Sequence, residues 1–318
     1  MVIWIFLAVF LAVPAFLFLA GGAVMQDYAV RRRPRLSPFP TGQDKPARGK
    51  MRQEGMAYLA ARPHETWHIT TSDGLRLQAG FWPADAPTGR TVLAVHGYRC
   101  TGAREFGMFA PFYHALGFNV LLPDNRAHGE SEGECIGFGW LDKDDCLAWA
   151  AEAQKRLPGG RLLLHGISMG AATVLMAAGQ DACPPGVVGV VADCAYASAW
   201  QQLAWQLKCM ARLPAFPTLY GADWYNRLLA GYSFRQADTA AWAARIRVPV
   251  QLIHGDADTY VPTAMVHQLH AANPGQKHLW LAPGAPHAAS WVVCRSRYQD
   301  VLRAFVDTLP WDGMPAQT

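Results

Sequence analysis

Closely spaced cysteine pairs are missing from this 318-residue sequence. Its seven cysteines are dispersed along the chain: Cys100, Cys135, Cys146, Cys183, Cys194, Cys209 and Cys294. An odd, dispersed set without Cys-x-x-Cys spacing argues against a disulfide framework and against a cysteine zinc site. It is typical of free thiols in a reducing compartment. The metal-binding pattern His-Glu-x-x-His is also missing, so we expect no metal site.

The sequence also contains few charged residues. Only 16% of the residues are charged, and the net charge at pH 7 is +4. Outside one arginine cluster near the N-terminus, no basic run is interleaved with aromatic residues, which argues against a nucleic-acid partner. The length and the 51% hydrophobic content suit one large α/β domain, or two small ones, with a substantial core.

The first 25 residues contain no charged side chain. This apolar stretch is long enough to cross the hydrocarbon core of a bilayer as a helix, even with Pro14 bending it. The arginine cluster at 31–35 follows, and the positive-inside rule places that flank in the cytoplasm. We therefore predict a single-pass transmembrane anchor over 1–25 and a cytoplasmic folded domain. The alternatives are a cleaved signal peptide, giving a secreted or periplasmic protein, and a buried core helix.

The rest of the chain divides into a linker and a domain. Residues 26–56 are polar, basic and contain proline and glycine, which is typical of a tether between a membrane and a domain. Over residues 57–318, short apolar strands alternate with helical patterns, which predicts a mostly parallel sheet with helices on both faces. Residues 196–245, between two of these strands, have a helical pattern.

One serine lies between two glycines directly after an apolar strand, in the sequence Gly166-Ile-Ser168-Met-Gly170. Ligands bind parallel sheets at the carboxyl ends of the strands, so residues that follow strands are the candidates for chemistry. A Gly-x-Ser-x-Gly sequence between a strand and a helix predicts a nucleophile elbow. The turn is so tight that side chains at either glycine would clash, and it lifts the serine hydroxyl above the sheet.

A carboxylate and a histidine follow later strands and complete the chain order Ser, Asp, His. Asp258 lies in the stretch HGDADTYVP, and His287 lies in PHAAS after the last strand. In such a triad, His287 takes the proton of the Ser168 hydroxyl, and Asp258 orients the imidazole. Asp256 and Asp193 compete for the acid's place, although Asp256 suits a turn and Asp193 suits a pocket wall or a helix cap.

Together with HGY, DNRAHGES, DKDD and ADCAYAS, these stretches resemble the α/β-hydrolase superfamily over about residues 60–310. They are most similar to membrane-anchored bacterial hydrolases of the YqkD-like type. The resemblance implies an α/β-hydrolase fold with a short helical lid at 196–245, and a serine esterase that needs no cofactor. It also implies that the backbone N–H groups of Tyr98 and Met169 form the oxyanion hole. The expected substrate is a small to medium hydrophobic acyl ester.

Three aromatic residues of the predicted lid are candidates for the acyl pocket: Trp200, Trp205 and Tyr232. The apolar face of this stretch either covers Ser168 or packs on the sheet. The same triad serves thioesterases, amidases or peptidases and acyltransferases, and a non-catalytic scaffold is a further alternative. The predicted partners are therefore a small-molecule ester or acyl substrate and the lipid bilayer.

Overall fold

The computed structural model describes residues 10, 12–32 and 45–311. Among them, eight strands form one sheet: β1 (Glu65–Thr70), β2 (Arg76–Trp82), β3 (Arg90–Val95), β4 (Phe118–Pro123), β5 (Arg161–Ile167), β6 (Val187–Asp193), β7 (Val250–Gly255) and β8 (Lys277–Ala282). Their spatial order is β1-β2-β4-β3-β5-β6-β7-β8. The pairs β1–β2 and β2–β4 are antiparallel, and all the other pairs are parallel.

Helices connect these strands and precede them. They are α1 (Ala12–Val30), α2 (Lys45–Ala60), α3 (Gly102–Phe106), α4 (Ala110–Ala115), α5 (Asp142–Arg156), α6 (Met169–Ala178), α7 (Ala199–Ala211), α8 (Thr218–Leu229), α9 (Thr239–Ala243), α10 (Thr263–Ala272), α11 (Ser290–Val293) and α12 (Arg295–Asp307). Helix α1 is apolar and long enough to cross a membrane, and it includes one wider π-type turn at Leu17–Gly21.

The core lies on both faces of the sheet, because successive side chains of a strand point to opposite faces. Along β5, Leu162 and Leu164 belong to one apolar cluster and Leu163 belongs to the other. Every residue of α6 is buried over the first cluster, and Tyr298 of α12 packs in the second. The predicted mostly parallel sheet with helices on both faces is confirmed.

This topology brings distant parts of the chain to one edge. Ser168 follows β5, Asp258 follows β7 and His287 follows β8. Tyr98 follows β3, the neighbour of β5 on its other side. Because β3, β5, β6, β7 and β8 run parallel, their carboxyl ends lie along the same edge of the sheet, which is where such folds bind ligands.

The segment after α1 is docked on the domain. Residues 28–32 run alongside the loop that precedes α5, where the N–H of Ile136 donates to the carbonyl of Val30 (2.8 Å). The N–H of Arg32 donates to the carbonyl of Glu134 (2.7 Å). This part of the predicted tether is therefore fixed by backbone hydrogen bonds rather than extended between membrane and domain.

Helix α2 corrects the predicted linker further. Residues 45–56 were expected to be part of a tether, but they belong to this 16-residue helix, which packs on α3 and α4. At the crossing, Gly55 lies against the backbone of Gly107 and Met108, so closely that a Cβ on Gly55 would collide. We call residues 28–32 and α2 together the N-terminal strap. Residues 33–44 of the predicted linker, and 1–9 and 11 of the predicted anchor, lie outside the described residues.

Candidate active site

The serine of the elbow has the backbone conformation that the turn demands. Ser168 has φ +56° and ψ −115°, a sparsely populated conformation for a residue with a side chain. The two flanking glycines are needed for space. A Cβ on Gly166 would collide with the carbonyl of Gly170, and a Cβ on Gly170 would collide with the carbonyl of Val95. This geometry puts Ser168 at the N-terminus of α6, facing the strand edge.

Ser168, His287 and Asp258 form a continuous hydrogen-bonded chain. The Oγ of Ser168 lies 2.9 Å from Nε2 of His287. The Nδ1 of the same ring lies 2.7 Å from Oδ2 of Asp258. When Asp258 accepts the Nδ1 proton, Nε2 is left as the acceptor for the serine hydroxyl. Proton transfer from Ser168 to His287 is therefore possible without any rearrangement.

Asp258 is buried and its carboxylate is fully engaged. Its Oδ1 accepts the N–H groups of Tyr260 (2.9 Å) and Val261 (2.8 Å). Nε2 of His254 lies 3.4 Å from Oδ2. Burial alone would raise the pKa of Asp258, but the nearby His287 and His254 hold that pKa well below its usual range. The carboxylate is thus negative at neutral pH and able to stabilise an imidazolium.

The two rival aspartates have other partners. The carboxylate of Asp193 accepts a hydrogen bond from the Ser290 hydroxyl (3.2 Å), and burial raises its pKa to about 6. Asp256 accepts the N–H of Gly284 (2.6 Å) and so joins two loops. The ring of His287 is hydrogen-bonded to Asp258 rather than to either of them.

The predicted oxyanion donors flank the serine. Met169 is the first residue of α6, so its N–H has no partner within the helix. Tyr98 lines the same cavity as Ser168. The preceding Gly97 packs directly on the elbow, since a Cβ on Gly97 would lie 3.4 Å from Cβ of Ser168. The loop after β3 is therefore positioned next to Ser168.

Two neutral histidines hold this loop. His96 accepts the N–H of Asn125 at Nε2 (3.0 Å), so its proton is on Nδ1. His128 accepts the N–H of Arg99 at Nε2 (3.0 Å) and donates from Nδ1 to the carbonyl of Arg126 (2.8 Å). Burial, together with the neighbouring His96, lowers the pKa of His128 to about 3. Both rings therefore act as fixed hydrogen-bond partners that hold the backbone of these loops in place.

A cavity of about 930 Å³ opens in front of Ser168. Its wall contains Tyr98, Ser168 and His287, which follow strands at the carboxyl edge of the sheet. It also contains five arginines: Arg32, Arg48, Arg52, Arg99 and Arg104. Three of these arginines come from the N-terminal strap, which sequence analysis assigned to a linker. The cavity is thus closed on one side by residues that precede the first strand.

The strap contacts the loops that carry the candidate chemistry. Arg48 is buried and donates to the backbone carbonyl of His287 (2.8 Å). Arg52 pairs with the buried carboxylate of Glu105 (3.0 Å). The same carboxylate accepts the N–H of Gly97 (2.6 Å). Through these contacts α2 supports two loops. One carries His287 and is called the histidine loop; the other follows β3, carries Tyr98 and is called the oxyanion loop.

The first part of the strap, residues 28–32, reaches the same loops. The Tyr98 hydroxyl donates to the carbonyl of Ala29 (2.7 Å). The guanidinium of Arg32 donates to the carbonyls of Ser131 (2.6 Å) and Gly129 (2.7 Å). Sequence analysis missed this role. The arginine cluster was visible, but it was interpreted only as a membrane-flanking signal, and no local pattern points to its partners.

The three aromatic residues of the predicted lid do not line the cavity. Tyr232 is buried and donates its hydroxyl to the carbonyl of Ile136 (2.6 Å). Trp205 donates to the carbonyl of Thr259 (3.1 Å), and Trp200 packs under the guanidinium of Arg235. The segment 196–245 is helical, as predicted. The positions of these side chains favour the alternative in which they pack on the domain.

One group of side chains has the composition of a metal site. The potential ligand atoms of Cys194, Asp258 and His287 lie within 4.8 Å of one another. Metals bind the thiolate form of cysteine, and burial raises the pKa of the Cys194 thiol well above its ordinary value. Asp258 and His287 are also hydrogen-bonded to each other. The group is therefore better suited to proton transfer than to holding a cation.

Comparisons with known proteins agree with this architecture. A family model described as alpha/beta hydrolase fold matches residues 90–208. YqkD of Bacillus subtilis (strain 168) is 32% identical over 231 residues, which cover 72% of this chain and 75% of YqkD. The chain thus belongs to the α/β-hydrolase superfamily, and within it to the relatives of YqkD.

Two further proteins extend the comparison. The Saccharomyces cerevisiae membrane protein YNL320W is 24% identical over 251 residues, covering 77% of this chain and 80% of the yeast protein. The Pyrococcus furiosus esterase Pf2001 superposes with a TM-score of 0.66 and 22% identity. That alignment covers 88% of this chain and 98% of the esterase chain, so the shared fold extends over nearly all of both.

Proposed function

We propose that this protein is a serine hydrolase that cleaves carboxylic esters, with Ser168 as nucleophile, His287 as general base and Asp258 as the orienting acid. The observation that carries the proposal is the unbroken chain of hydrogen bonds of 2.9 Å and 2.7 Å from the Ser168 hydroxyl to the Asp258 carboxylate. That chain faces a cavity large enough for a small ester.

The proposed reaction runs through an acyl-enzyme. The Ser168 oxygen attacks the ester carbonyl carbon while its proton moves to Nε2 of His287. The N–H groups of Met169 and Tyr98 stabilise the oxyanion. The tetrahedral intermediate then collapses, and His287 returns the proton to the leaving alcohol. Water attacks the acyl-enzyme by the same steps in reverse order and releases the acid and free Ser168.

The choice of esters as the substrate class draws on two proteins of similar fold. The Pyrococcus furiosus protein is an esterase, and so is acetyl xylan esterase 1 from Thermoanaerobacterium, which superposes with a TM-score of 0.53 and 16% identity. At such identities the likeness shows the fold, and the same triad serves thioesters and amides. Esters are therefore the first substrate class to test.

The test is hydrolysis of nitrophenyl esters from acetate to palmitate by the full chain in detergent. We expect turnover by the wild type and a loss of about 10⁶-fold in kcat for Ser168→Ala, because the residual rate then comes only from binding and the oxyanion hole. The acyl chain length that is hydrolysed fastest indicates the size of the acyl pocket. Matching thioesters and anilides are run in parallel, and Ser168-dependent turnover of those substrates alone would contradict the ester proposal.

We also propose that α1 anchors the protein in a membrane as a single span, with the hydrolase domain in the cytoplasm. The helix is apolar and mostly exposed, and the arginine cluster follows it. The yeast relative YNL320W is named a membrane protein. Resistance to carbonate extraction tests the anchor. Protease accessibility of the domain in spheroplasts and in inverted vesicles tests the orientation, and digestion in intact spheroplasts would contradict it.

A further inference from the structure

Helix α8 exposes a line of large apolar side chains. Tyr220, Trp224 and Leu228 are spaced four residues apart, so they lie on one face of the helix. They are 44%, 45% and 63% exposed, and Phe216, just before the helix, is 60% exposed. The opposite face, with Leu219, is buried in the domain. A contiguous apolar face made of four large exposed side chains marks an interaction site rather than an ordinary protein surface.

The face of α8 is continuous with α1. A Cβ on Gly22 would lie 2.6 Å from the backbone of Gly221, and a Cβ on Gly221 would collide with the carbonyl of Phe18. Glycines at such a crossing let the two helix backbones touch. The rings of Phe18 and Trp224 also lie beside each other, with centroids 6.3 Å apart. Because the two helices touch, α8 must lie at the same depth in a membrane as the part of α1 that it contacts.

The position of the crossing along α1 gives a depth. The apolar stretch ends at Met25, so Gly22 lies about 4.5 Å and Phe18 about 10 Å inside its boundary at 1.5 Å per helical residue. Amphipathic helices that lie in a membrane interface are buried by about 5–10 Å. The part of α1 that contacts α8 is thus at the depth of an interfacial helix.

The charges around α8 are compatible with that position. Its only acidic residue, Asp223, is buried and paired with Arg227 (2.9 Å). Lys208 and Arg212, at the end of the preceding helix α7, are exposed. Basic side chains next to an apolar face favour a membrane surface that carries anionic lipids. Tyrosine and tryptophan are the residues enriched at membrane–water interfaces.

We propose that the exposed face formed by Phe216, Tyr220, Trp224 and Leu228 is a second membrane-contacting element, inserted into the lipid interface beside α1. Its occupant is the bilayer rather than another protein. The inference depends on α1 contacting the membrane and is independent of the proposed reaction. Such insertion fixes the hydrolase domain against the membrane at two points instead of leaving it on a single helix.

Photo-crosslinking of the full chain in phosphatidylcholine–phosphatidylglycerol vesicles tests the proposal. Benzoylphenylalanine replaces Leu228 or Tyr220, and lipid adducts are measured by mass spectrometry of the intact protein. Lys155, 81% exposed at its side chain on α5, provides the matched control outside the face. We expect the adduct yield at Leu228 and Tyr220 to exceed that at Lys155 by at least about fivefold, because only inserted side chains reach acyl chains. Thermal melting of each variant verifies folding.

A variant with benzoylphenylalanine in place of Phe16 reports on α1 itself. Lipid adducts at Phe16 with none at Leu228 and Tyr220 would overturn the proposal while leaving the anchor intact. Protein–protein crosslinks at Leu228 in place of lipid adducts would also overturn it, and would assign the face to a second copy of the chain. If Phe16 gave no lipid adduct either, both the anchor and the proposal would be rejected, with no bearing on the hydrolase activity.

Discussion

The candidate active site is bounded by two regions of different origin. Ser168, Asp258 and His287 lie in short loops directly after strands of the sheet, and their roles depend on contacts with one another. The N-terminal strap contributes no group to that chain of hydrogen bonds. It reaches the same loops from far away in sequence, since 239 positions separate Arg48 from His287. The chemistry is thus encoded in local turns, and the alignment of those turns depends on distant contacts.

The comparison predicts two kinds of defect. A change among the strand-end residues removes a reacting or charge-stabilising group and should abolish turnover. A change in the strap lets a loop move, and small displacements of a catalytic group cost up to about 10²-fold in rate. If a strap variant lost as much kcat as a variant of Ser168, Asp258 or His287, this difference between the two regions would be contradicted.

Among variants that keep the proposed nucleophile, the largest effect is expected from Asp258→Asn. The amide is unable to stabilise the imidazolium and favours the wrong tautomer of His287, so kcat should fall by about 10⁴-fold. Steady-state kinetics on the best nitrophenyl ester measure this loss. Asp193→Asn is the matched control at the neighbouring strand end, and its kcat should stay within about tenfold of the wild type because the His287 ring is hydrogen-bonded to Asp258 rather than to Asp193. Equal losses in both variants would reopen the assignment of the acid.

A smaller effect is expected from Arg48→Ala. The variant removes the donor to the His287 carbonyl, so kcat should fall by roughly 10- to 100-fold while KM changes little. Arg48→Lys should recover part of the rate, because the ammonium also donates hydrogen bonds. Lys50→Ala, on an exposed position of the same helix, is the control and should retain wild-type kcat. An unchanged kcat in Arg48→Ala would show that the strap does not position the histidine loop.

The last prediction concerns stability rather than rate, at His128, which links the oxyanion loop to the loop held by Arg32. Its pKa is about 3 in the folded protein and about 6.5 in an unfolded chain. Between these values the unfolded state binds more protons, so this group destabilises the fold as pH falls from 6.5 toward 3, by up to about 1.4 kcal/mol per pH unit. His128→Gln lacks this contribution. Urea unfolding measures the free energy of unfolding of both proteins from pH 7 to pH 4. The difference between wild type and variant should become smaller as the pH falls. A difference that stays constant or grows would contradict a neutral, buried His128.

The strand-end region could be predicted from sequence because its signals are local. The two glycines around Ser168 are required by a turn that four or five residues define. The chain order of Ser168, Asp258 and His287 follows from strands that are recognisable as apolar runs. The parallel sheet then brings the three residues together without any further information.

The strap could not be predicted in the same way. Helix α2 is rich in charged residues and glycine, so its sequence is typical of a tether. Arg48 is buried only because the loop of His287 provides its acceptor, and Gly55 is needed only because Gly107 approaches it. The aromatic residues of 196–245 illustrate a related limit, since an apolar helical face has the same pattern whether it covers a cavity or packs on a core.

The measurement that tests the central claim most directly is labelling of the full chain with a fluorophosphonate, followed by peptide mass spectrometry. The reagent phosphonylates a serine only where a base activates it. The account predicts a single adduct on the peptide that contains Ser168, absent in Ser168→Ala and slowed by more than about 10²-fold in His287→Gln. A folded protein that remains unlabelled, or that carries the adduct on another residue, would contradict the assignment of Ser168 as the nucleophile.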